Sequence, residues 1–153
     1  ITAGNSSQIS DGAAALLLVS EDILNKFNLE PVAKIKSMAV VGTDPVLMLS
    51  GPIPATRKAL DQAKLKPEDI NLAEINEAFS SVVGAWRKEF PEINYENVNA
   101  NGGSIAIGHP LGATGARLMT NLIHEMKRNK LKYGLQAICE GGGTANATIV
   151  ELV

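Results

Sequence analysis

Cysteine, histidine and aromatic residues are scarce in this sequence. The one cysteine, Cys139, rules out an internal disulfide and a cysteine-rich zinc site, and two histidines, His109 and His124, leave few ligands for a metal. No uninterrupted apolar run approaches the about 20 residues that a membrane-spanning helix needs. The net charge of −2 gives no electrostatic attraction to nucleic acid or to an anionic membrane surface. We therefore expect no metal, no nucleic-acid partner and no membrane partner.

The remaining composition is that of a globular protein. Apolar residues make up 45% and charged residues 20% of the 153 positions, a balance that favours one folded domain over disorder. The sequence begins at Ile1 without a methionine, a basic segment or a signal-type apolar core, and we expect it to be part of a longer chain. No targeting signal fixes its compartment. A lone thiol suits a reducing compartment such as the cytoplasm or an organelle matrix.

Hydrophobic periodicity predicts strands that alternate with helices. A short apolar run predicts a helix near 11–16 that continues into a strand ending at Val19. The other predicted strands span 32–41, 72–75, 135–139 and 145–153, and the predicted helices span 21–27, 54–63, 77–88 and 110–129. This order predicts a layered α/β domain that finishes with an antiparallel hairpin.

Eight of the 14 glycines lie in two short segments, and each segment carries a reactive side chain. Five glycines fall within 101–115 together with His109, and three follow Cys139 at 141–143. Asn76 lies in a similar position, directly after the predicted strand 72–75. Ligands of α/β proteins collect beyond the carboxyl ends of strands, so these three polar side chains predict a site. Turn formation alone is the simpler explanation for either glycine cluster.

The position of His109 favours an uncharged imidazole. Pro110 follows it at the predicted start of a long helix, where the positive end of the helix dipole disfavours imidazolium. A neutral imidazole can accept a thiol proton or donate a hydrogen bond to a carbonyl oxygen. A capping histidine and an inert core cysteine are the structural alternatives for His109 and Cys139.

Three motifs resemble those of the thiolase family, the acetyl-CoA acetyltransferases and 3-ketoacyl-CoA thiolases. They are NEAF from Asn76, NANGGSIAIGHPLGATGAR around His109, and CEGGG from Cys139. The segments TAGNSSQISDGAAALLL and GPIPATRKAL are also similar, so the resemblance extends along nearly the whole sequence. It implies an α/β thiolase-like layered fold with a mixed sheet flanked by helices. It also implies that 1–30 end the amino-terminal half of a thiolase and that 31–153 form the carboxyl-terminal domain.

The resemblance implies a role for each motif residue in a thiolase reaction. His109 would activate a nucleophilic cysteine and help bind the thioester oxygen, and Asn76 would hold a water at that oxyanion site. Cys139 would be the general acid and base toward the acetyl-CoA carbon and the leaving thiolate. The backbone N–H of Gly141 would contribute to a second oxyanion hole. Ser7, Ala78 and Phe79 would line the channel for the pantetheine arm of coenzyme A.

The resemblance also implies the partners of the chain. Coenzyme A and acyl-CoA would bind as substrates, without a metal or prosthetic group, in a homodimer or homotetramer. The family's nucleophilic cysteine belongs to the amino-terminal half, and this sequence has no second cysteine. The chain would therefore supply acid, base and oxyanion groups to a site completed by the missing amino-terminal half.

Two other functions compete with this one. Cysteine, histidine and asparagine are the residue types of a Cys-His-Asn hydrolase, but Cys139 follows a strand instead of opening a helix that would lower its pKa. An inactive CoA-binding or scaffold module related to thiolases is the second alternative, although it would have no reason to keep Asn76, His109 and Cys139.

Three further features predict structural roles. Trp86 shares a helical face with Val82 and Val83, which is typical of a core or interface residue. His124 is expected on the solvent side of the long helix. The basic cluster at the end of that helix complements the helix dipole, and it comprises Lys127, Arg128, Lys130 and Lys132.

Overall fold

The computed structural model describes all 153 residues and confirms the α/β fold. Its strands are β1 (Ala33–Gly42), β2 (Leu72–Ile75), β3 (Tyr133–Cys139) and β4 (Thr144–Leu152). Its helices are α1 (Glu21–Phe27), α2 (Pro52–Ala63), α3 (Ser80–Glu89), α4 (Ser104–Ile107) and α5 (Thr114–Asn129). None of these helices combines the length and the apolar character needed to cross a membrane.

The four strands form one mixed sheet in the order β1-β4-β3-β2. The predicted closing hairpin is present, because β4 pairs antiparallel with β3, and β4 also pairs antiparallel with β1. In contrast, β2 pairs parallel with β3, with Ile75 opposite Ala137. Parallel strands end at the same edge of a sheet. The segments that follow β2 and β3 therefore lie side by side.

Helices cover both faces of the sheet, as the sequence predicts. Successive residues of β2 show this, because Ala73 packs in the core cluster of α2 and α3 whereas Leu72 packs with Leu122 and Met126 of α5. Trp86 is 1% exposed in the first of these clusters, and its Nε1 donates a hydrogen bond to Thr56 Oγ1 at 2.9 Å. The core role predicted for Trp86 is confirmed.

The segment 11–19 differs from its prediction. It forms neither helix nor strand, and the side chains of Leu17 and Leu18 are 82% and 67% exposed. An apolar run forms stable regular structure only when it packs against another apolar surface. Nearly all of 11–19 is exposed in this structure, so the run lacks that packing.

Two helices begin later than predicted, α5 at Thr114 and α3 at Ser80. The segment 110–113 forms a turn in which Pro110 O accepts from the N–H groups of Ala113 and Thr114, so α5 begins at Thr114. Similarly, α3 begins at Ser80, after Phe79 in extended conformation, and the Glu77 side chain instead accepts from the N–H of Ile105 in a neighbouring loop. That glycine-rich loop also contains the short helix α4, which the sequence did not predict.

Two glycine substitutions test the packing of α5 on β3. A Cβ at Gly134 would overlap Met126 Sδ and come within 3.0 Å of two Leu122 carbons. We expect Gly134→Ala to lower the free energy of unfolding by about 1–3 kcal/mol, as overpacking usually does. Gly84→Ala is the matched control, because a Cβ at this position in α3 meets no atom within 4 Å. The control should be neutral or stabilising by up to about 1 kcal/mol. Equal stabilities of the two variants in chemical denaturation would contradict this packing.

Candidate active site

An open cavity of about 490 Å³ lies where β2 and β3 end. Asn76, His109, Cys139 and Gly141 all line it, so the structure brings the four predicted catalytic residues together. Sequence reasoning assigned no role to the other polar residues of the lining, which are Thr114, Glu140 and Asn146. No group of three or more His, Cys, Asp or Glu side chains in the chain is arranged to hold a metal ion.

Asn76 and Cys139 reach the cavity from neighbouring parallel strands. The Asn76 N–H donates to Ala137 O at 2.9 Å, which continues the pairing of β2 with β3 by one residue. Cys139 is the last residue of β3 and is 8% exposed. Burial raises the pKa of its thiol, and the backbone at Cys139 and the nearby Asn76 side chain offset part of that increase. The thiol is therefore protonated at neutral pH and available as a proton donor.

His109 is held in one tautomer by a threonine hydroxyl. Its Nδ1 lies 2.7 Å from Thr114 Oγ1, and Thr114 Oγ1 lies 3.0 Å from Pro110 O. A hydroxyl has one hydrogen, which Thr114 must donate to the carbonyl because a carbonyl cannot donate. His109 Nδ1 therefore carries the proton of the neutral ring, and Nε2 keeps a lone pair.

The neutral state of His109 has a different cause from the predicted one. The residue before α5 is Ala113, so His109 does not cap this helix as the sequence suggested. Instead, burial lowers the pKa of the imidazole, and the positive charge of Arg117 lowers it further. Both effects favour the uncharged ring. Nε2 can therefore accept a proton at neutral pH.

The amide of Asn76 has a fixed orientation. Ser104 Oγ donates to Asn76 Oδ1 at 2.7 Å, and both residues are buried. Asn76 Nδ2 is buried and has no hydrogen-bond partner in the protein. Leaving such a donor unsatisfied costs about 1–3 kcal/mol. The NH₂ group is therefore prepared to donate to an oxygen in the cavity.

Gly141 opens a tight turn that joins β3 to β4. The turn continues through Gly142 and Gly143, whose φ angles are +73° and +86°. A Cβ at Gly143 would lie 2.7 Å from Thr43 O, and Gly143 O accepts from both the N–H and the hydroxyl of Thr43. Glycine is required here by backbone conformation and by close approach.

Ser7, Ala78 and Phe79 lie together at one side of the cavity. The N–H and the hydroxyl of Ser7 both bond Ala78 O, at 3.1 and 3.2 Å, and Ser6 pairs with Phe79. Only Ala78 lines the cavity itself. Their role in a substrate channel remains a prediction.

Glu77 joins the two loops that carry Asn76 and His109. Its carboxylate accepts from Asn99 Nδ2 at 2.9 Å and from the N–H of Ile105 at 3.0 Å. A side chain at Gly103 would overlap this carboxylate. Sequence reasoning assigned no role to Glu77, although its place in the NEAF motif was an available signal.

Glu74 is a second carboxylate beneath the site. It is 1% exposed on β2, and neither of its oxygens has a hydrogen-bond partner. Burial raises its pKa from 4.5 to about 8, although the guanidinium of Arg117 lowers it in part. Glu74 is therefore protonated at neutral pH.

The family to which this architecture belongs is recognisable from sequence. A profile described as "Thiolase, C-terminal domain" matches residues 29–152. The chain belongs to the thiolase family.

Individual relatives carry thiolase names. A steroid 3-ketoacyl-CoA thiolase of Mycobacterium tuberculosis is 55% identical over 151 residues, which cover 99% of this chain and 37% of that protein. An acetyl-CoA acetyltransferase of Shinella zoogloeoides is 48% identical over 154 residues, covering 99% of this chain and 38% of that protein. The chain thus spans well under half the length of these relatives.

Solved structures show the same fold. A crystal structure of the Bacillus anthracis acetyl-CoA acetyltransferase matches with a TM-score of 0.96 at 44% identity, covering the whole of this chain and 39% of the other. Human mitochondrial 3-ketoacyl-CoA thiolase in complex with CoA matches with a TM-score of 0.92 at 39% identity and the same coverage.

Replacing the buried carboxyl tests the electrostatics beneath the site. Between about pH 4.5 and pH 8 the unfolded chain ionises Glu74 whereas the folded chain keeps it protonated, so this residue makes stability fall as the pH rises. Glutamine does not titrate. We therefore expect the difference in melting temperature, Glu74→Gln minus wild type, to increase as the pH is raised from about 5 to about 8. Glu92→Gln, an exposed control, should show no such trend. A constant difference between Glu74→Gln and wild type across this range would contradict the raised pKa.

Proposed function

We propose that this chain supplies the acid/base and oxyanion-stabilising groups of a thiolase active site. The reaction is cleavage of a 3-ketoacyl-CoA by coenzyme A, or the reverse Claisen condensation of two acyl-CoA molecules. One observation carries the proposal. A protonated thiol, an imidazole with a free Nε2 and an unpartnered amide NH₂ face a single cavity, on Cys139, His109 and Asn76.

The attacking thiol in this proposal belongs to a part of the protein outside these 153 residues. The chain has one cysteine, and it spans about two fifths of the curated relatives it matches. Cys139 cannot remain an acid and base while it carries an acyl group. We use "intact enzyme" for this chain together with the amino-terminal part that its relatives possess, assembled as a homodimer or homotetramer.

His109 and Asn76 have complementary roles in bond cleavage. His109 Nε2 takes the proton of the attacking thiol, and the resulting thiolate adds to the 3-keto carbon of the substrate. When the bond between C2 and C3 breaks, negative charge develops on the thioester oxygen of the acetyl-CoA fragment. The imidazolium of His109 and a water held by Asn76 Nδ2 stabilise this charge by donating hydrogen bonds.

Cys139 completes the proton transfers. Its thiol donates a proton to C2 of the acetyl-CoA enolate, which leaves Cys139 as a thiolate. That thiolate then takes the proton of the incoming coenzyme A thiol, whose sulfur attacks the acyl-enzyme. The N–H of Gly141 stabilises the tetrahedral oxyanion of this second step, and condensation runs through the same transfers in reverse.

Coenzyme A thioesters are the proposed substrates, and the reaction as written needs no metal or prosthetic group. Ser7, Ala78 and Phe79 are proposed to contact the pantetheine arm, because Ala78 lines the cavity and Ser7 lies beside it, bonded to Ala78 O. The same segment fixes His109, because the His109 N–H donates to Gln8 O at 2.8 Å.

Two variants separate the proposed proton transfers. In the intact enzyme, Cys139→Ser should retain acylation of the nucleophilic cysteine by acyl-CoA but lose condensation and protonation of the carbanion. His109→Ala should lose both, by about 100-fold or more, because general base catalysis typically contributes that much. Mass spectrometry of the acyl-enzyme measures the first step. His124→Ala, at an exposed position on α5, is the control. Equal and complete loss of acylation in both variants would disprove this division of roles.

Complementation tests the proposed function itself. The 153-residue chain alone should not cleave acetoacetyl-CoA in the presence of coenzyme A, whereas adding an amino-terminal thiolase half should give turnover. Turnover by the chain alone that depends on Cys139 would refute the proposed division between halves. Coenzyme A binding by the intact enzyme without any cleavage would instead favour an inactive binding module. Cleavage of a peptide p-nitroanilide that is lost in Cys139→Ala would favour the hydrolase.

A further inference from the structure

The direction in which the Asn76 amide points decides what it can offer to a substrate. The oxygen and the NH₂ group of an asparagine have nearly the same size, so packing alone does not distinguish the two orientations. An NH₂ group toward the cavity donates hydrogen bonds to an oxyanion or a water, whereas an oxygen there would repel developing negative charge. Some neighbouring group must therefore select the orientation.

Ser104 selects the orientation because its hydroxyl hydrogen has only one neighbouring acceptor, Asn76 Oδ1. Its Oγ lies 2.7 Å from Asn76 Oδ1 and 3.3 Å from Arg117 Nη2. A guanidinium only donates, so the serine oxygen must accept from Arg117 and its single hydrogen is left for Asn76. Ser104 is 0% exposed, which removes bulk water as a competing partner.

Arg117 holds a second element of the site at the same time. Its Nη1 donates to Gly108 O at 2.7 Å, directly before His109. The residue belongs to α5, whose Thr114 fixes the tautomer of His109. A guanidinium has N–H donors and no acceptor, so neither hydrogen bond can reverse its direction. One guanidinium thus reaches the supports of both Asn76 and His109.

We propose that Arg117 and Ser104 are positioning residues for the thiolase reaction, forming a one-way hydrogen-bond relay that turns the Asn76 NH₂ group toward the cavity. The relay rests on the proposed function for its catalytic consequence, but the amide orientation itself is a structural property. Removing the Ser104 hydroxyl removes the group that distinguishes the two ends of the amide. The Asn76 side-chain amide then populates two orientations, one with the NH₂ group toward the cavity and one with the oxygen toward it.

Kinetics of the intact enzyme with Ser104→Ala test the catalytic consequence. We expect kcat for acetoacetyl-CoA cleavage to fall about fivefold to tenfold, as for the loss of one buried hydrogen bond. KM for coenzyme A should stay within about twofold, because Ser104 does not line the cavity. Ser37→Ala is the matched control, since Ser37 is also buried and its hydroxyl donates to Ala59 O at 2.8 Å on another part of the sheet. The control should lose stability without loss of kcat, and equal kcat values for Ser104→Ala and wild type would overturn the relay.

A double-variant cycle distinguishes positioning from general destabilisation. If Ser104 acts through Asn76, then Ser104→Ala should cause less than about twofold further loss once Asn76→Ala is present. Independent losses that multiply would overturn the proposal. Arg117→Lys provides a second variant, because one ammonium group cannot bridge Gly108 O and Ser104 Oγ. Arg117→Lys should lose more activity than Ser104→Ala, because Arg117 also supports Gly108 next to His109. The additional loss of activity should remain when Arg117→Lys is combined with Asn76→Ala. Wild-type activity of Arg117→Lys would also overturn the proposal.

A spectroscopic measurement keeps the proposal separate from the proposed function. In intact enzyme labelled with ¹⁵N-asparagine, the side-chain amide signal of Asn76 is the one that disappears in Asn76→Ala. That signal should shift in Ser104→Ala and stay unchanged in Ser37→Ala. An unchanged signal in Ser104→Ala would refute the relay whether or not the enzyme is active. Absence of cleavage by the wild-type intact enzyme would instead refute the proposed function, and the signal would still decide the relay.

Discussion

The parallel pairing of β2 with β3 is the interaction on which the site depends. β2 has four residues, and its register places Asn76 beside the end of β3, where Cys139 lies. A slip of one residue would turn every β2 side chain to the opposite face of the sheet. Asn76 would then leave the cavity and Glu74 would enter the apolar core of the other face. A strand this short has few ladder hydrogen bonds, so its register also relies on the side chain of Asn99, which bonds both the N–H and the carbonyl of Ile75.

Burial sets the protonation state of three groups in and beneath the site. Desolvation raises the pKa of Cys139 and Glu74 and lowers that of His109, so all three groups are uncharged at neutral pH. Arg117 is the permanent charge among them. Neutral acids and bases avoid the desolvation cost of a standing buried ion pair, and charge separates only when a proton is transferred. The Arg117 cation makes imidazolium less favourable, which keeps the His109 ring neutral with a lone pair on Nε2.

Sequence reasoning located the elements of the site better than the contacts between them. Short apolar segments predicted β2, β3 and the closing hairpin, and the resemblance of three motifs to thiolases implied roles for the four residues that meet at the cavity. The helix and strand predicted for 11–19 are wrong, because the apolar character of a short run does not show whether it is packed in the fold. Periodicity also began α5 too early, because the turn at Pro110 depends on carbonyl contacts that have no hydrophobic signature. The contacts of Glu77, Ser104 and Arg117 join residues far apart in sequence, and a spacing pattern does not encode such pairs.

The side chain of Asn99 has a consequence for the edges of the sheet. By bonding Ile75 on both sides while its own N–H donates to Ala73 O at 2.8 Å, Asn99 takes the place of a neighbouring strand along β2. That edge is closed to further pairing. The other edge is β1, which pairs only with β4 and carries Lys34 and Lys36, charges of the kind that discourage strand-to-strand association. Another strand can therefore pair with this sheet only at β1. A native partner strand and an aggregating strand would compete for that same edge.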